Sequence, residues 1–524
     1  MKKIEDASKS KKGITLIALV LTIIILIILA GTSISMLTGQ NGILTKAKEA
    51  KEQTGNAVAE EQSILGELES QINDYQDNGF DKVKGVNRPQ LASGMTRIMF
   101  KNPEKDSNGE IIKDGESGWS NNWYDYNNKK WANVMTEDGS MWVWIPRYAY
   151  IINSDKTMDI KFLIGTTNKW YNQETKKEED LPESYKIHPC FQNGKQTNYK
   201  NGEWKEEIRG IWISKFEAGL PDDSSAPQTT SVPYMKNSYY PVFQGKKISY
   251  NYITSAQCYL LSRTLTESGN PYGFSNLADS HMIKNSEWGA TAFLSYSKYG
   301  KTGGKYDTGK EVILNNVTFG VWNGSSIKTS VIGENAYAIT GYAGDAVDSA
   351  ENILTSTILG DTVTGSAGTS YAWYTEKGKE ASTTGNLYGV YDMSGGATEY
   401  TSSYVNTTNA TSLDYLKYYA SVFAYKDGKA IEESTPYATV YSEYTNGNLF
   451  IKNADRYGDA LWETENWFGD WINNDTSGPI LARGGFWVIA GASGIFGVDD
   501  DVGYGSYARF SYSAYCAVNF FNFT

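Results

Sequence analysis

Apolar residues run almost unbroken from Ile14 to Ala30, interrupted only by Thr15 and Thr22. A helix of that length is close to the ~17–25 residues that cross the hydrocarbon core of a bilayer. Lys2, Lys3, Lys9, Lys11 and Lys12 precede it, and basic flanks stay on the cytoplasmic side. The pattern predicts a basic leader (1–13), a single membrane pass and an exterior that begins after Gly31. Beyond a break at "TGQNG" the apolar positions take up helical spacing among charges: Ile43, Leu44, Ala47 and Ala50, then Leu65, Leu68 and Ile72. One helical region over 14–76 is therefore expected. Residues 77–113 are polar and weakly patterned, with "NRPQ" and "DSNG" as turn material, and 77–138 reads as a linker or accessory region with an irregular entry. Strand-like alternation begins in Gly139–Ile152 and returns in Ile208–Gly219. Two helices are predicted next. Thr254–Leu265 places Cys258, Leu261 and Leu265 on one face, and Lys284–Gly300 places Trp288, Ala292 and Tyr296 likewise. The remainder, rich in Tyr, Gly, Ser and Thr, reads as loops punctuating short strands. The predicted class is α+β: a long N-terminal helix, then a domain (139–524) with few helices, short strands and much loop.

Composition narrows the function. The 524 residues allow more than one domain. A net charge of -12, from 48 Lys+Arg against 60 Asp+Glu, excludes a nucleic-acid binder, because phosphate contacts need clustered cations and none cluster beyond the leader. The 38 Tyr, 15 Trp and 51 Gly combine rigid amphipathic rings with a permissive backbone, a mixture suited to binding surfaces. Cys190, Cys258 and Cys516 are an odd number and far apart, so no disulfide framework is implied. Only His188 and His281 are available for a histidine metal site or a triad.

The stretch "KKGITLIALVLTIIILIILAG" and its amphipathic extension resemble the prepilin-type methylation motif of type IV pilins and pseudopilins. That resemblance implies cleavage after Gly13, methylation of Ile14, a bacterial cell membrane location and association with other pilin subunits or a pilus. Ala18 stands where those families usually carry glutamate, so polymerisation is left open.

Farther on, "WVWIPRYA", "GIWISKFEAG", the helix containing Cys258, "SHMIKNSEWGATA", "GNLYGVYDMSGGATEYTSS" and "ARGGFW" occur in the order found in the formylglycine-generating, sulfatase-modifying enzymes. The matching residues are Lys215, Phe216, Glu217, Glu287, Trp288, Gly389, Tyr391, Asp392, Met393, Gly395, Glu399, Arg483, Gly484, Gly485 and Trp487. This resemblance, over roughly 139–524, implies a C-type-lectin-like fold in which Glu217, Glu287, Trp288, Asp392, Met393, Glu399, Arg483, Gly484, Gly485 and Trp487 are framework. It also implies a copper site built from two C-terminal cysteines, but that segment holds Cys516 alone. Cys258 reads as a buried small hydrophobe, and no enzyme activity is expected. Asp392 and Glu399 read as frame rather than as a catalytic pair. The family's calcium is bound through the asparagine and glutamate of the block that reads "GGATE" here. Gly396 replaces the asparagine, so calcium is left open and no other cofactor is expected. "VDDDVG" lacks the spacing of a calcium loop and reads as a solvated acidic turn.

The segment from Gly484 to Thr524 contains no Lys, Glu, Gln, Met, Leu, Pro or His. The first four cannot be written by codons ending in a pyrimidine, whereas every residue present except Trp487 can. Lys, Glu, Gln and Met make up roughly a fifth of an ordinary chain. Such a terminus on a lectin-like domain resembles the variable region of diversity-generating retroelement target proteins. By that resemblance Phe486, Val488, Ile489, Ser493, Asp499, Asp500, Tyr504, Tyr507, Phe510, Tyr512 and Tyr515 are candidate ligand contacts. The frame around them is Arg483, Gly484, Gly485 and Trp487, with Gly491, Gly494 and Phe496. Related domains close with glycine-phenylalanine-arginine, whereas this chain ends "AVNFFNFT". The expected function is a surface-displayed, adhesin-like protein that binds a protein or glycan outside the cell. The alternative is a structural minor pilin or pseudopilin of a type IV pilus or a type II secretion-like system.

Overall fold

Met141–Pro146 forms a strand in which Trp142, Val143, Trp144 and Ile145 are all buried. Successive side chains point to opposite faces, so this strand is covered on both sides. The computed structural model describes the chain from Asp77 onward, apart from 102, 104–108, 222–239, 248, 251–252, 307–316, 321–335, 344–351, 354–355, 359–360, 364–370, 443–455, 465–466, 469–477, 486–493, 500–511, 515 and 521–524. All described residues fall in one unit, Asp77–Phe521. Gly13, Ile14 and the apolar run lie outside them. Among the described residues no helix is long and apolar enough to cross a membrane.

The described chain is mostly sheet with four α-helices. The strands that position the site are, in chain order, β1 (Thr96–Phe100), β2 (Ile111–Lys113), β3 (Asn133–Met135), β4 (Met141–Pro146), β5 (Tyr148–Ile152), β6 (Met158–Phe162), β7 (Lys169–Asn172), β8 (Lys177–Asp180), β9 (Lys186–Ile187), β10 (Gly210–Ser214), β11 (Ala278–Met282), β12 (Thr398–Asn406), β13 (Thr439–Ser442), β14 (Ile480–Gly484), β15 (Gly494–Asp499), β16 (Tyr512–Ala514) and β17 (Cys516–Phe520). The helices are α1 (Ser255–Thr264), α2 (Asn285–Tyr296), α3 (Ala410–Tyr419) and α4 (Ser421–Ala424).

The main sheet has seven strands in the order β11-β17-β10-β4-β3-β1-β2, and every neighbouring pair in it is antiparallel. Its centre is the Trp212↔Trp144 pair of β10 and β4, whose rings lie 5.2 Å apart. A second sheet runs β13-β12-β14-β15, with β16 pairing the start of β12. β9, β5 and β6 make a third, and β7 and β8 form a hairpin beside it. Trp131, Trp142, Trp144, Trp204, Trp212 and Trp288 are fully buried, so much of the aromatic excess serves the core.

The helices expected at Thr254–Leu265 and Lys284–Gly300 form. Thr254 caps α1 by accepting from the Gln257 N–H, while the Gln257 side chain accepts from the Thr254 N–H, a reciprocal arrangement that satisfies two otherwise orphaned donors. Cys258 is buried. α2 is buried along its whole length. Two expectations differ. Part of 77–113, read as an irregular entry, supplies β1 and β2 to the edge of the main sheet. Its burial is carried by only two residues, Ile98 and Phe100, too few to stand out as a pattern. α3 and α4 fall where loops and strands were expected. Asn409 accepts from the Thr411 and Ser412 N–H groups, a local cap that nucleates α3 in a polar stretch.

α2 packs so closely that a Cβ on Gly289 would lie 2.1 Å from the Gly458 carbonyl oxygen. In an exposed helix, glycine to alanine gains about 1 kcal/mol. Here Gly289→Ala is expected to lower stability by about 1–3 kcal/mol through overpacking, read as a fall in the urea midpoint at unchanged slope.

Candidate functional site

Of the residues predicted as framework, those that are described, all but Trp487, lie around the join of the two main sheets. The Lys215 ammonium donates to Asn133 Oδ1 at 2.9 Å, the Leu387 carbonyl at 2.6 Å and the Gly389 carbonyl at 2.8 Å. All three acceptors are neutral, and burial pushes its pKa well below the usual lysine value. Phe216 stacks on Tyr391 at 5.3 Å, and the Tyr391 N–H donates to the Lys215 carbonyl. The segment after β10, which carries Lys215 and Glu217, is thereby fastened to the 387–399 block.

Three carboxyl groups gather next to this joint. Glu217, Asp392 and Glu399 are each at most 1 % exposed. Asp392 accepts the Gly341 N–H on both oxygens, at 2.8 and 2.9 Å. Glu217 accepts from the Ser249 hydroxyl and from the Ala397 N–H. Both carboxyl oxygens of Glu399 are buried without a hydrogen-bond partner, with the Glu217 and Asp392 carboxyl groups as its charged neighbours. Burial first, then the nearby Asp392 charge, pushes Glu217 well above the usual carboxylate range. Burial and then Glu217 do the same to Glu399.

This donor set does not fit calcium, which takes about six to eight oxygens. Among the described residues no group of three or more His, Cys, Asp or Glu is arranged to hold a metal. At Gly396 a Cβ would lie 3.1 Å from Glu217 Oε2, where the implied ligand asparagine would have to stand. Cys516 belongs to β17, but its side chain lies outside the described residues.

Arg483 and Trp288 carry the frame toward the terminal segment. Arg483 donates to the Asp459 carbonyl at 2.9 Å and the Ala460 carbonyl at 3.1 Å, and its guanidinium lies 5.7 Å from the Trp288 ring. The Trp288 indole N–H donates to the Ile495 carbonyl at 2.7 Å. Gly484 has φ +81°, and a Cβ there would meet Glu399 Oε2 at 2.6 Å. Both facts require glycine. The Gly395 N–H closes the turn by donating to the Gly484 carbonyl. Met393 is buried at the same place, and Gly485 follows with φ +67°.

From this frame the terminal segment is held at three strands: β15 on β14, β16 on β12, and β17 between β10 and β11. Phe486, Trp487, Val488, Ile489, Ser493, Asp500, Tyr504, Tyr507, Phe510 and Tyr515 lie outside the described residues. Asp499 and Tyr512 belong to β15 and β16, and their side chains lie outside the described set.

A histidine network had no clear signal in the sequence. His281 Nδ1 is 2.9 Å from Asp279 Oδ1, and Nε2 is 3.0 Å from Glu287 Oε1. An imidazole that bonds carboxylates through both nitrogens carries both protons. Burial alone would lower its pKa, but the Glu287 charge and the two hydrogen bonds more than offset this and raise it above 6.5. Glu287 also accepts the Lys284 N–H at 2.8 Å, so it caps α2 while pairing His281. The Lys284 ammonium lies 3.4 Å from the Trp204 ring centroid and 3.5 Å from Glu287 Oε1. Asp279 takes the Tyr437 hydroxyl at 2.6 Å on its other oxygen. Only the alternation of Asp279 and His281 along one strand hints at this arrangement.

The two clusters respond to pH with opposite roles for their partners. The raised His281 pKa contributes stability that is complete below about pH 6.5 and is lost as pH rises through the folded value. Glu287 has a lowered pKa, because His281 and Lys284 outweigh its burial, so its contribution is lost only as pH falls through that lowered value. His281→Gln is expected to cost about 3–5 kcal/mol near pH 6 by leaving buried carboxylates unpaired. The deficit narrows at higher pH, as read by denaturant melts across pH 5.5–9. Glu399 has a raised pKa, so the wild-type protein loses stability as pH climbs above 4.5. Glu399→Gln keeps the shape, buries no charge and is expected to raise stability at pH 7. A loss there in the same melts would show that the Glu399 charge is wanted.

No protein-family model matches the chain, and no curated protein matches it either, so its functional reading rests on its own residues.

Proposed function

We propose that this protein is a surface-displayed, adhesin-like binder. Its pilin-like N-terminal segment, with processing at Gly13 and Ile14, anchors it in a bacterial membrane. A domain related to the sulfatase-modifying, C-type-lectin-like fold then presents a diversified C-terminal face to a protein or glycan outside. On this reading the protein is not an enzyme. The observation that carries the proposal is one of position. The run free of Lys, Glu, Gln, Met, Leu, Pro and His follows Leu481, within β14, and covers the whole segment beyond Gly484, where β14 ends and the buried frame of Trp288, Glu399 and Arg483 hands over to it. Most of the candidate contacts then fall in the two intervals, 486–493 and 500–511, between strands pinned to that frame. Tyrosine suits such positions because it offers large contact area and one polar tip for little lost entropy.

The test is to sequence the coding segment for 484–524 in many cells of one population, together with its surroundings. Substitutions are expected at the codons of Phe486, Val488, Ile489, Tyr504, Tyr507 and Tyr512, matching adenines in a nearby template copy beside a reverse-transcriptase gene. The codons for Arg483, Gly484, Gly485 and Trp487 stay constant. Uniform variation across the segment, or a segment without variation or template, would overturn the proposal.

A further inference from the structure

Away from the frame, a cleft of about 340 Å³ opens between β6, the β7–β8 hairpin, the 84–85 turn and residues 298–299. Ligand pockets span about 300–1,000 Å³, so it is large enough for a small ligand. Phe162, Trp170, Tyr171 and Tyr299 supply aromatic surface to its walls. Lys84, Lys161 and Lys298 bring three ammonium groups to it, against the carboxylates of Asp159 and Glu174. In a chain of net charge -12 this is a local inversion of sign.

Lys161 is under-compensated. Its ammonium lies 3.8 Å from Asp159 Oδ2, but that oxygen already accepts the Tyr185 hydroxyl at 2.6 Å. Its closest further neighbours are rings, with Trp170 at 3.8 Å and Tyr185 at 4.9 Å from their centroids. Burial lowers its pKa, Asp159 and Glu179 offset this in part, and the like charge of Lys298 lowers it again. Lys84, also lowered by burial, donates to the Asn121 carbonyl and lies 3.7 Å from the Tyr124 ring. A half-buried ammonium group beside an exposed like charge is relieved by an anion placed between the two. A bare inorganic anion leaves the aromatic walls unused, whereas a sugar acid combines a carboxylate with a ring that has an apolar face.

We propose that this cleft binds a carboxylate-bearing sugar, with the carboxylate between Lys161 and Lys298 and the ring against the wall formed by Trp170 and Tyr171. All of its described lining residues lie outside 484–524.

Saturation-transfer NMR on the full-length chain tests this, with a glucuronate-containing tetrasaccharide as the probe and a neutral glucose tetrasaccharide as its comparison. The acidic probe is expected to bind, and the neutral one at least about tenfold more weakly, the size of one charge-assisted hydrogen bond. Lys161→Met and Trp170→Ala should each weaken the acidic probe about tenfold. Lys298 is exposed, so Lys298→Met keeps the fold and should weaken binding by itself. Replacing Tyr504, Tyr507 and Tyr512 with alanine should leave this binding intact whether or not the terminal face is diversified. Equal binding of the two probes, no loss in Lys298→Met, or full displacement by an equal concentration of sulfate would overturn the proposal. Loss in the tyrosine variant would instead move the sugar to the terminal face.

Discussion

The main sheet is closed by the last strand of the chain. Cys516–Phe520 sits between β10 and β11, pairing Val518 with Trp212 on one side and Ala517 with His281 on the other. β11 has no other neighbour in that sheet, so without β17 it would lose its ladder. Strand pairing over so large a sequence separation costs loop-closure entropy before it returns any contact energy. The core therefore assembles fully only when the terminus has been delivered to it. That dependence gives the terminal segment two fixed ends, one at β14 and one at β17.

Around this closure the buried ionisable groups fall into two systems built on different physics. At His281 opposite charges meet: Asp279 and Glu287 flank an imidazolium, and Lys284 lies against Glu287 and Trp204. Each desolvated charge there has a partner, the condition under which a buried ion pair is tolerated. At Glu217 and Glu399 like groups meet, and burial together with the neighbouring carboxyl charges pushes both pKa values up. Both systems touch the same few elements. Glu287 begins α2, Trp288 follows it and bonds to Ile495, and Glu399 on β12 faces Arg483 on β14. Charge balance, helix capping and attachment of the terminal segment are thus carried by adjacent residues.

Much of this frame was legible in the sequence, and the reasons differ by residue. Trp142 to Ile145 and Ile211 to Ile213 declare themselves because a strand covered on both faces is apolar at every position. α1 was legible from the spacing of Cys258, Leu261 and Leu265, and α2 from that of Trp288, Ala292 and Tyr296. Two kinds of feature were not. Ile98 and Phe100 join the core through β1, a five-residue strand next to the sheet edge and too short to show a period. The His281 network and the lysine cleft are made by residues far apart in the chain: Trp204 with His281, Tyr437 with Asp279, and Lys161 with Lys298. No local pattern encodes such meetings, since each side chain alone is an ordinary surface or core residue.

A diversified terminus poses a physical difficulty for the proposed function, because a segment that changes its side chains must keep its fold. The contacts between frame and segment bear on this directly. The Trp288 indole bonds to the backbone carbonyl of Ile495, the Gly395 N–H to that of Gly484, and β15, β16 and β17 are held by strand pairing. Backbone bonds of this kind do not depend on which side chain the residue carries. Positions where identity does matter include Gly484 beside Glu399, where no Cβ fits, and Ile495, Phe496 and Val498, whose side chains are buried in the core. The permitted residue menu is also rich in Val, Ile, Phe and Tyr, which suit strands, and in Gly, Ser, Asn and Asp, which suit turns. A segment drawn from that menu can satisfy a frame that grips its main chain and a few buried apolar side chains, and on the proposed reading the remaining positions serve the ligand.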